Sequence, residues 1–132
     1  MNTLHLFILV LLLHFYSDFN LQIGAHLHDM KQKEWWERMF EREGIIDNAN
    51  YRYDWVAALL IHSGVWSMLT FLPLLLATDK CWLMVGIVSL NTIVHAMIDH
   101  LKANRRSINL IVDQGLHFVQ IITTIHVWQT VN

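Results

Sequence analysis

The sequence predicts an all-α protein, a four-helix transmembrane bundle with an interfacial amphipathic helix between the first two spans. The chain has 132 residues, of which 55% are hydrophobic and 15% are charged, a composition too apolar for a typical soluble domain. Four segments approach the roughly 20 mostly apolar residues that a helix needs to cross a bilayer core. A strongly charged segment separates the first two of them. We therefore expect one small membrane domain over residues 1–132.

The four predicted spans cover residues 3–23, 54–77, 81–102 and 108–131. The first resembles the core of a signal peptide. No basic residue precedes it and no small-residue cleavage site follows it, so we expect it to be retained as a helix. The second contains Pro73, which a membrane helix tolerates as a kink. The first and fourth are interrupted by His and Asp on limited faces, a pattern typical of a bundle with a polar interior.

The charged insert at residues 29–53 contains a short amphipathic pattern. Trp35, Trp36, Met39 and Phe40 share one helical face, and charged residues fill the remainder. The pattern predicts a helix that lies in the membrane interface, where tryptophan is favoured. A helix that only covers one end of the bundle, without contacting a substrate, is an equally good interpretation.

The distribution of basic residues predicts the orientation. With four spans, the first and third connections lie on the same side of the membrane. Those connections contain Lys31, Lys33, Arg38, Arg42, Arg52, Lys102, Arg105 and Arg106, whereas the opposite side contains essentially Lys80. Basic residues favour the cytoplasmic side, so we expect an inner-membrane protein with both termini outside the cytoplasm. The net charge of −2 gives no reason to expect a nucleic-acid partner. Membrane lipid is the expected partner, and homo-oligomerisation stays open.

Three His/Asp pairs with a spacing of four residues occur in the predicted spans. Residues i and i+4 share a helical face. The order is His then Asp in spans one and three, which descend towards the basic side, and Asp then His in span four, which ascends from it. Each histidine is therefore deeper than its carboxylate, and a histidine in span two is expected at the same depth. These residues are His14 and Asp18, His62, His95 and Asp99, and Asp113 and His117.

This combination of residues predicts a metal site. Imidazole nitrogens and carboxylate oxygens bind Zn²⁺ and related divalent ions, and Cys81, the single cysteine, excludes a Cys-based zinc cluster. We expect one or two ions, zinc first, with manganese or another divalent ion as alternatives. The predicted ligands are His14, Asp18, His62, His95, Asp99, Asp113 and His117.

The predicted catalytic groups overlap with these ligands. Asp18, Asp99 or Asp113 could serve as a general base, and Lys102 could stabilise a developing oxyanion. Candidate substrate-binding residues are Gln22, Lys33 and Gln114. For the two glutamines, hydrogen bonding between helices is the alternative role.

Three motifs and two single residues also show a resemblance to a known family. They are HFYSDFNLQ at 14–22, HAMIDHLK at 95–102 and DQGLH at 113–117, together with Lys33 and His62. They resemble a family of small bacterial and phage membrane proteins catalogued as a domain of unknown function. The likeness covers nearly the whole chain, although the charged insert is longer than the family's loop. The resemblance implies a polar membrane core without an established activity. The His and Asp pattern is more distantly similar to that of membrane-associated metal-dependent hydrolases.

Two classes of function follow as hypotheses. The first is a metal-dependent integral-membrane hydrolase that acts on a lipid or lipid-linked ester or phosphoester at the cytoplasmic face. The alternative is a non-catalytic membrane protein, such as a metal or ion carrier or a phage-type protein that interacts with the host envelope. A bis-histidine haem protein is a third hypothesis, but carboxylates one turn from three histidines argue against it.

Overall fold

The structure, a computed structural model, describes residues 3–20, 27–45 and 49–132. Over these ranges it contains α-helices, one π-helical turn at Tyr16–Asn20, one 3-10 turn at Ala49–Tyr51 and no β-strand. The predicted all-α class is therefore confirmed. The helices are α1 (Thr3–Phe15), α2 (Leu27–Met30), α3 (Lys33–Glu43), α4 (Asp54–Thr70), α5 (Leu72–Leu76), α6 (Cys81–Ala103) and α7 (Leu110–Val131).

Two helices are long and apolar enough to cross a bilayer. They are α6, with 23 residues, and α7, with 22 residues, and their bounds agree closely with the third and fourth predicted spans. The apolar stretch Thr3–Phe19 is shorter. Asn109 starts α7, because its side-chain oxygen accepts a hydrogen bond from the Val112 amide at 3.0 Å.

The second predicted span is broken into two helices, whereas the sequence predicted one helix with a kink at Pro73. The helix α4 ends at Thr70 and α5 begins at Leu72. Pro73 has no amide hydrogen, and its ring would clash with a carbonyl one turn earlier, so it interrupts a helix but is tolerated in a first turn. The carbonyl of Phe71 instead accepts bonds from the amides of Leu74 and Leu75, which starts α5.

The helix α4 packs along α6, and α1 and α7 complete the bundle around them. An apolar core fills the end of the bundle near the chain termini. It consists of Leu6, Val10, Trp66, Phe71, Leu74, Leu75, Leu83, Ile87, Ile121 and Ile125. The outer faces are apolar as well, and Leu76, Trp82 and Ile111 are among many large exposed side chains. An apolar surface of this extent is typical of a protein covered by lipid or by a partner.

The charged insert contains the predicted amphipathic helix as α3. Phe40 is buried on one face, Trp35 and Trp36 are half-buried, and the opposite face is exposed. Gly44 ends the helix with a left-handed backbone (φ 67°), a conformation that glycine adopts without steric cost. Before it, α2 packs against α4, which brings the insert over one end of the bundle.

Candidate metal centre

Four imidazoles meet inside the bundle, one from each of α1, α4, α6 and α7. They belong to His14, His62, His95 and His117, each at most 2% exposed. Ring centroids are 5.2 Å apart between His62 and His95, 4.2 Å between His95 and His117, and 5.8 Å between His14 and His117. The structure therefore brings together the four histidines that the alternating order of His and Asp singles out.

Two of these imidazoles and the carboxylate of Asp99 form a small triangle of donor atoms, which we call the donor triangle. Oδ2 of Asp99 lies 2.9 Å from Nε2 of His62 and 3.5 Å from Nε2 of His95, and the two nitrogens are 3.2 Å apart. A tetrahedral zinc ion with bonds of about 2.0–2.1 Å holds its ligand atoms roughly 3.3 Å apart. The donor triangle therefore has the size needed to bind one divalent ion.

Two further residues extend the donor set. Asp18 can place a carboxylate oxygen within 4.8 Å of ring nitrogens of His62 and His95, and His117 does the same with His95 and Asp99. These buried His/Asp clusters could hold a metal ion. They include five of the seven predicted ligands.

The other two predicted ligands are placed differently. Both ring nitrogens of His14 are engaged: Nδ1 accepts a bond from the Trp66 indole at 3.0 Å, and Nε2 lies 3.2 Å from Oε1 of Gln114. Since Nδ1 accepts, Nε2 carries the proton and donates it to Gln114. The Asp113 carboxylate accepts a bond from Lys102 Nζ at 2.6 Å. His14 and Asp113 are thus near the centre, but each would have to exchange a protein partner for a metal.

The placement of Asp18 depends on the π-helical turn at Tyr16–Asn20. The sequence predicted a regular α-helix here, on which His14 and Asp18 would share a face. A π-turn is wider than an α-turn and is found frequently at functional sites. Asp18 clusters with His62 and His95, while His14 is held by Trp66 and Gln114.

The predicted substrate-binding residues have three different positions. Gln114 connects helices, because its Nε2 donates to Asp18 Oδ2 at 2.9 Å and to Asp113 Oδ2 at 3.1 Å. Lys33 is exposed on α3, with Nζ 3.5 Å from Glu37, away from the donor triangle. Gln22 lies outside the described residues.

Lys31 belongs to the site, although the sequence did not predict it there. Its ammonium donates to Asp99 Oδ2 at 2.5 Å and lies 3.2 Å from Nε2 of His62, and the residue is 4% exposed. Its carbonyl accepts a bond from Asn104 Nδ2 at 3.0 Å. The sequence places Lys31 among other basic residues of the insert, and no spacing there distinguishes it.

Trp66 is the second residue that was missed. Its ring stacks on His95, with centroids 4.0 Å apart, and its indole N–H holds His14. Trp66 lies four residues after His62, so it shares the inward face of α4. That spacing could have identified it.

The charges of the centre favour a single divalent ion. With the imidazoles neutral, as metal binding requires, the carboxylates of Asp18, Asp99 and Asp113 face the ammonium groups of Lys31 and Lys102, which leaves a net charge of −1 before an ion binds. Buried charges are costly unless they are compensated. One divalent ion leaves an excess of one positive charge, whereas two ions leave an excess of three.

A cavity of about 210 Å³, which we call the mouth cavity, lies above the donor triangle. It is at the end of the bundle that carries α2 and the connection from α6 to α7. Its polar lining consists of His28, Lys31, Gln32, Asp99, Lys102 and Arg106. Because Asp99 belongs to both, the mouth cavity adjoins the donor triangle.

No family model, curated protein or solved structure matches this chain.

Proposed function

We propose that this protein is a metal-dependent integral-membrane hydrolase acting on a lipid or lipid-linked ester or phosphoester at the cytoplasmic face. The observation that carries the proposal is the spacing of the donor triangle, 2.9 to 3.5 Å between atoms of His62, His95 and Asp99. Catalytic zinc sites typically have three protein ligands and one open position. The adjoining mouth cavity supplies access to such a position.

The proposal includes four membrane spans. Besides α6 and α7, the first span would consist of α1 with the π-turn, and the second of α4 with α5. Exposed apolar side chains on these segments, such as Leu12, Ile61 and Leu76, support their contact with lipid. Basic residues around α3 and before α7 support both termini outside the cytoplasm in the inner membrane. Membership of the small membrane-protein family remains part of this proposal.

The donor set supports zinc, with manganese or another divalent ion as alternatives. A bound divalent ion would supply Lewis acidity and a water nucleophile near neutral pH. Asp18, in the same cluster as His62 and His95, would accept a proton from that water. Lys102, whose side chain is 30% exposed, lines the mouth cavity and would stabilise negative charge developing on the substrate.

Lys31 would have to move when the ion binds. Its ammonium lies within 3.2 Å of two of the three donor atoms, so it occupies the region of the fourth ligand position. Two cations cannot share that position because they repel each other. The mouth cavity, which Lys31 also lines, is the space into which its side chain can turn.

A carrier for metal or other ions is the second candidate, and one observation favours it. A polar network continues beyond the histidines, one turn further along α6 and α7. Asn91 Oδ1 accepts bonds from Gln120 Nε2 at 2.9 Å and from Thr124 Oγ1 at 3.0 Å. Buried polar side chains along a bundle are typical of ion pathways.

Elemental analysis of protein purified in mild detergent, without added metal, tests the proposed centre. We expect about one equivalent of zinc or manganese in the unmodified protein, as the open catalytic site implies. H95A and D99A should lose it, whereas H126A, a matched control at an exposed position of α7, should retain it. Stoichiometric metal in both H95A and D99A would refute the assignment. Weak, exchangeable binding coupled to flux in vesicles would favour the carrier.

A further inference from the structure

The mouth cavity is large enough to bind more than solvent. Its volume is about 210 Å³. One water occupies about 30 Å³ of the liquid, so the space corresponds to several waters. Its floor is the buried Asp99 carboxylate of the donor triangle, and its walls come from α2, the end of α6 and the following loop.

The charged groups of the mouth cavity favour an anion. The lining carries three positive charges, from Lys31, Lys102 and Arg106, and one negative charge, from Asp99. The carboxylates that pair with Lys102 and Arg106, Asp113 and Glu34, are not among the lining residues. Burial, and then the neighbouring Lys31 ammonium, lower the pKa of His28, which favours its neutral form. A divalent ion at the donor triangle would make the floor positive as well. A carboxylic ester offers no charge to match this lining, whereas a phosphoester does.

Arg106 has a backbone conformation that an arginine rarely adopts. Its φ of 52° lies in the left-handed region, where a side chain is strained and glycine is not. Backbone strain of this kind is concentrated at functional sites, so it supports a role for the Arg106 side chain. Arginine presents five N–H donors in a planar fork that fits phosphate oxygens.

The present partner of Arg106 leaves donors available. One guanidinium nitrogen, Nη2, lies 2.5 Å from Glu34 Oε2 at the surface of α3. Glu34 has a second partner within reach, since Nη1 of Arg38 is 3.9 Å from the same oxygen. Arg106 can therefore turn its remaining donors into the cavity.

We propose that the mouth cavity is a phosphate-binding subsite in which Arg106 and Lys102 bind the phosphoryl oxygens of the substrate. The inference rests on the proposed hydrolase and narrows its substrate from ester or phosphoester to phosphoester. A lipid head group and a soluble phosphate monoester share this chemistry.

Calorimetric titration of the metal-loaded protein in detergent with inorganic phosphate tests the subsite. R106A should weaken phosphate binding about tenfold or more, the loss expected for a hydrogen bond to a charged group. R105A is the matched control, because it removes the same charge from the adjacent residue, which lines a different cavity beside α3. Equal effects of the two variants, or no phosphate binding by the unmodified protein, would overturn the proposal.

A second variant separates binding from folding. R106G removes the same side chain and also relieves the backbone strain, so its thermal unfolding temperature should equal or exceed that of the unmodified protein. Loss of phosphate binding by a variant of undiminished stability would support the subsite. Full phosphate binding by R106G would overturn it.

Vesicles distinguish the two sources of phosphate. If the substrate is a lipid, phosphatidic acid in phosphatidylcholine vesicles should raise the unfolding temperature more than inorganic phosphate does, and R106A should abolish the rise. If the substrate is soluble, inorganic phosphate alone should raise it. An unfolding temperature that neither phosphatidic acid nor phosphate changes would overturn the proposal.

The outcomes also separate this inference from the hydrolase itself. Arg106-dependent phosphate binding by a protein that retains no metal would leave the subsite standing and refute the metal enzyme. Hydrolysis of a carboxylic ester without phosphate binding would support the enzyme and refute the subsite.

Discussion

The ammonium of Lys31 lies 2.5 Å from Oδ2 of Asp99, and both side chains are almost completely buried. This pair joins the charged insert to the C-terminal end of α6, across 68 residues of sequence. It also gives the carboxylate of the donor triangle a cationic partner from the protein itself. A divalent ion and Lys31 therefore compete for the same oxygen.

K31M tests this competition. Without metal, Asp99 would lose its cationic partner, and removing one member of a buried ion pair costs about 3–5 kcal/mol. With metal, the ion replaces the ammonium, so most of the loss should disappear and the metal should bind more tightly. The measurement is thermal unfolding in detergent, with chelator and with zinc.

K33M is the matched control for K31M. Lys33 is exposed and its partner Glu37 is exposed as well, so the substitution should change stability by no more than about 0.5 kcal/mol. A loss of stability in K31M that zinc does not reverse would show that Lys31 is a structural residue and not a competitor.

The next prediction concerns Trp66, which positions two histidines. W66F keeps an aromatic ring but removes the indole N–H that donates to His14 at 3.0 Å. Leaving His14 without that partner should cost about 1–3 kcal/mol. A phenyl ring is smaller than the indole that stacks on His95, so it should orient that ligand less well, and metal affinity should fall about 10–100-fold, as for other partners of metal ligands.

W128F provides the comparison for W66F. Trp128 Nε1 is buried and has no hydrogen-bond partner among the residues that the structure describes, so this variant removes an indole without breaking such a bond. Its stability and metal affinity should therefore change less than those of W66F. Equal losses in both variants would indicate that ring volume, and not the bond to His14, is what matters.

The meeting of the four histidines could be predicted from sequence, because it follows from helix geometry. Spacings of four residues put His95 with Asp99 and Asp113 with His117 on one face of their helices, and the reversed order in α7 matches its reversed direction. The bounds of α6 and α7 were also predictable within about two residues, since long apolar runs define them.

The position of Lys31 could not be predicted in this way. It depends on the packing of α2 against α4. The helix α2 has only four residues, which is too short for a periodic pattern that would predict this contact. The π-turn around Asp18 is a change of helical register, to which a pattern of polar and apolar residues is insensitive. The break at Phe71 was visible as Pro73, but the proline alone does not distinguish a kink from a break. Phe71 is 0% exposed, and its burial depends on tertiary packing that the local sequence does not specify.

His14 yields a prediction that separates ligands from their neighbours. Since both of its ring nitrogens bond to protein groups, H14Q should retain the metal content of the unmodified protein. Its stability should fall by about 1–3 kcal/mol, because buried groups of Trp66 and Gln114 lose their partner. Elemental analysis and thermal unfolding measure the two effects, with H95A as the comparison. Loss of metal in H14Q, at the level seen in H95A, would return His14 to the ligand set.

The last prediction separates the hydrolase from the carrier. Asn91 lies one turn from His95 on α6, and its Oδ1 accepts bonds from Gln120 and Thr124. N91L interrupts this network without touching the donor triangle. If the centre is a fixed catalytic site, N91L should retain its metal, and zinc should not cross vesicles that contain either protein. If the centre belongs to an ion path, the unmodified protein should carry zinc across the vesicle membrane, and N91L should reduce that flux several-fold. T92A, at a half-buried neighbour whose hydroxyl donates only to Val88 of its own helix, is the control and should change neither measurement.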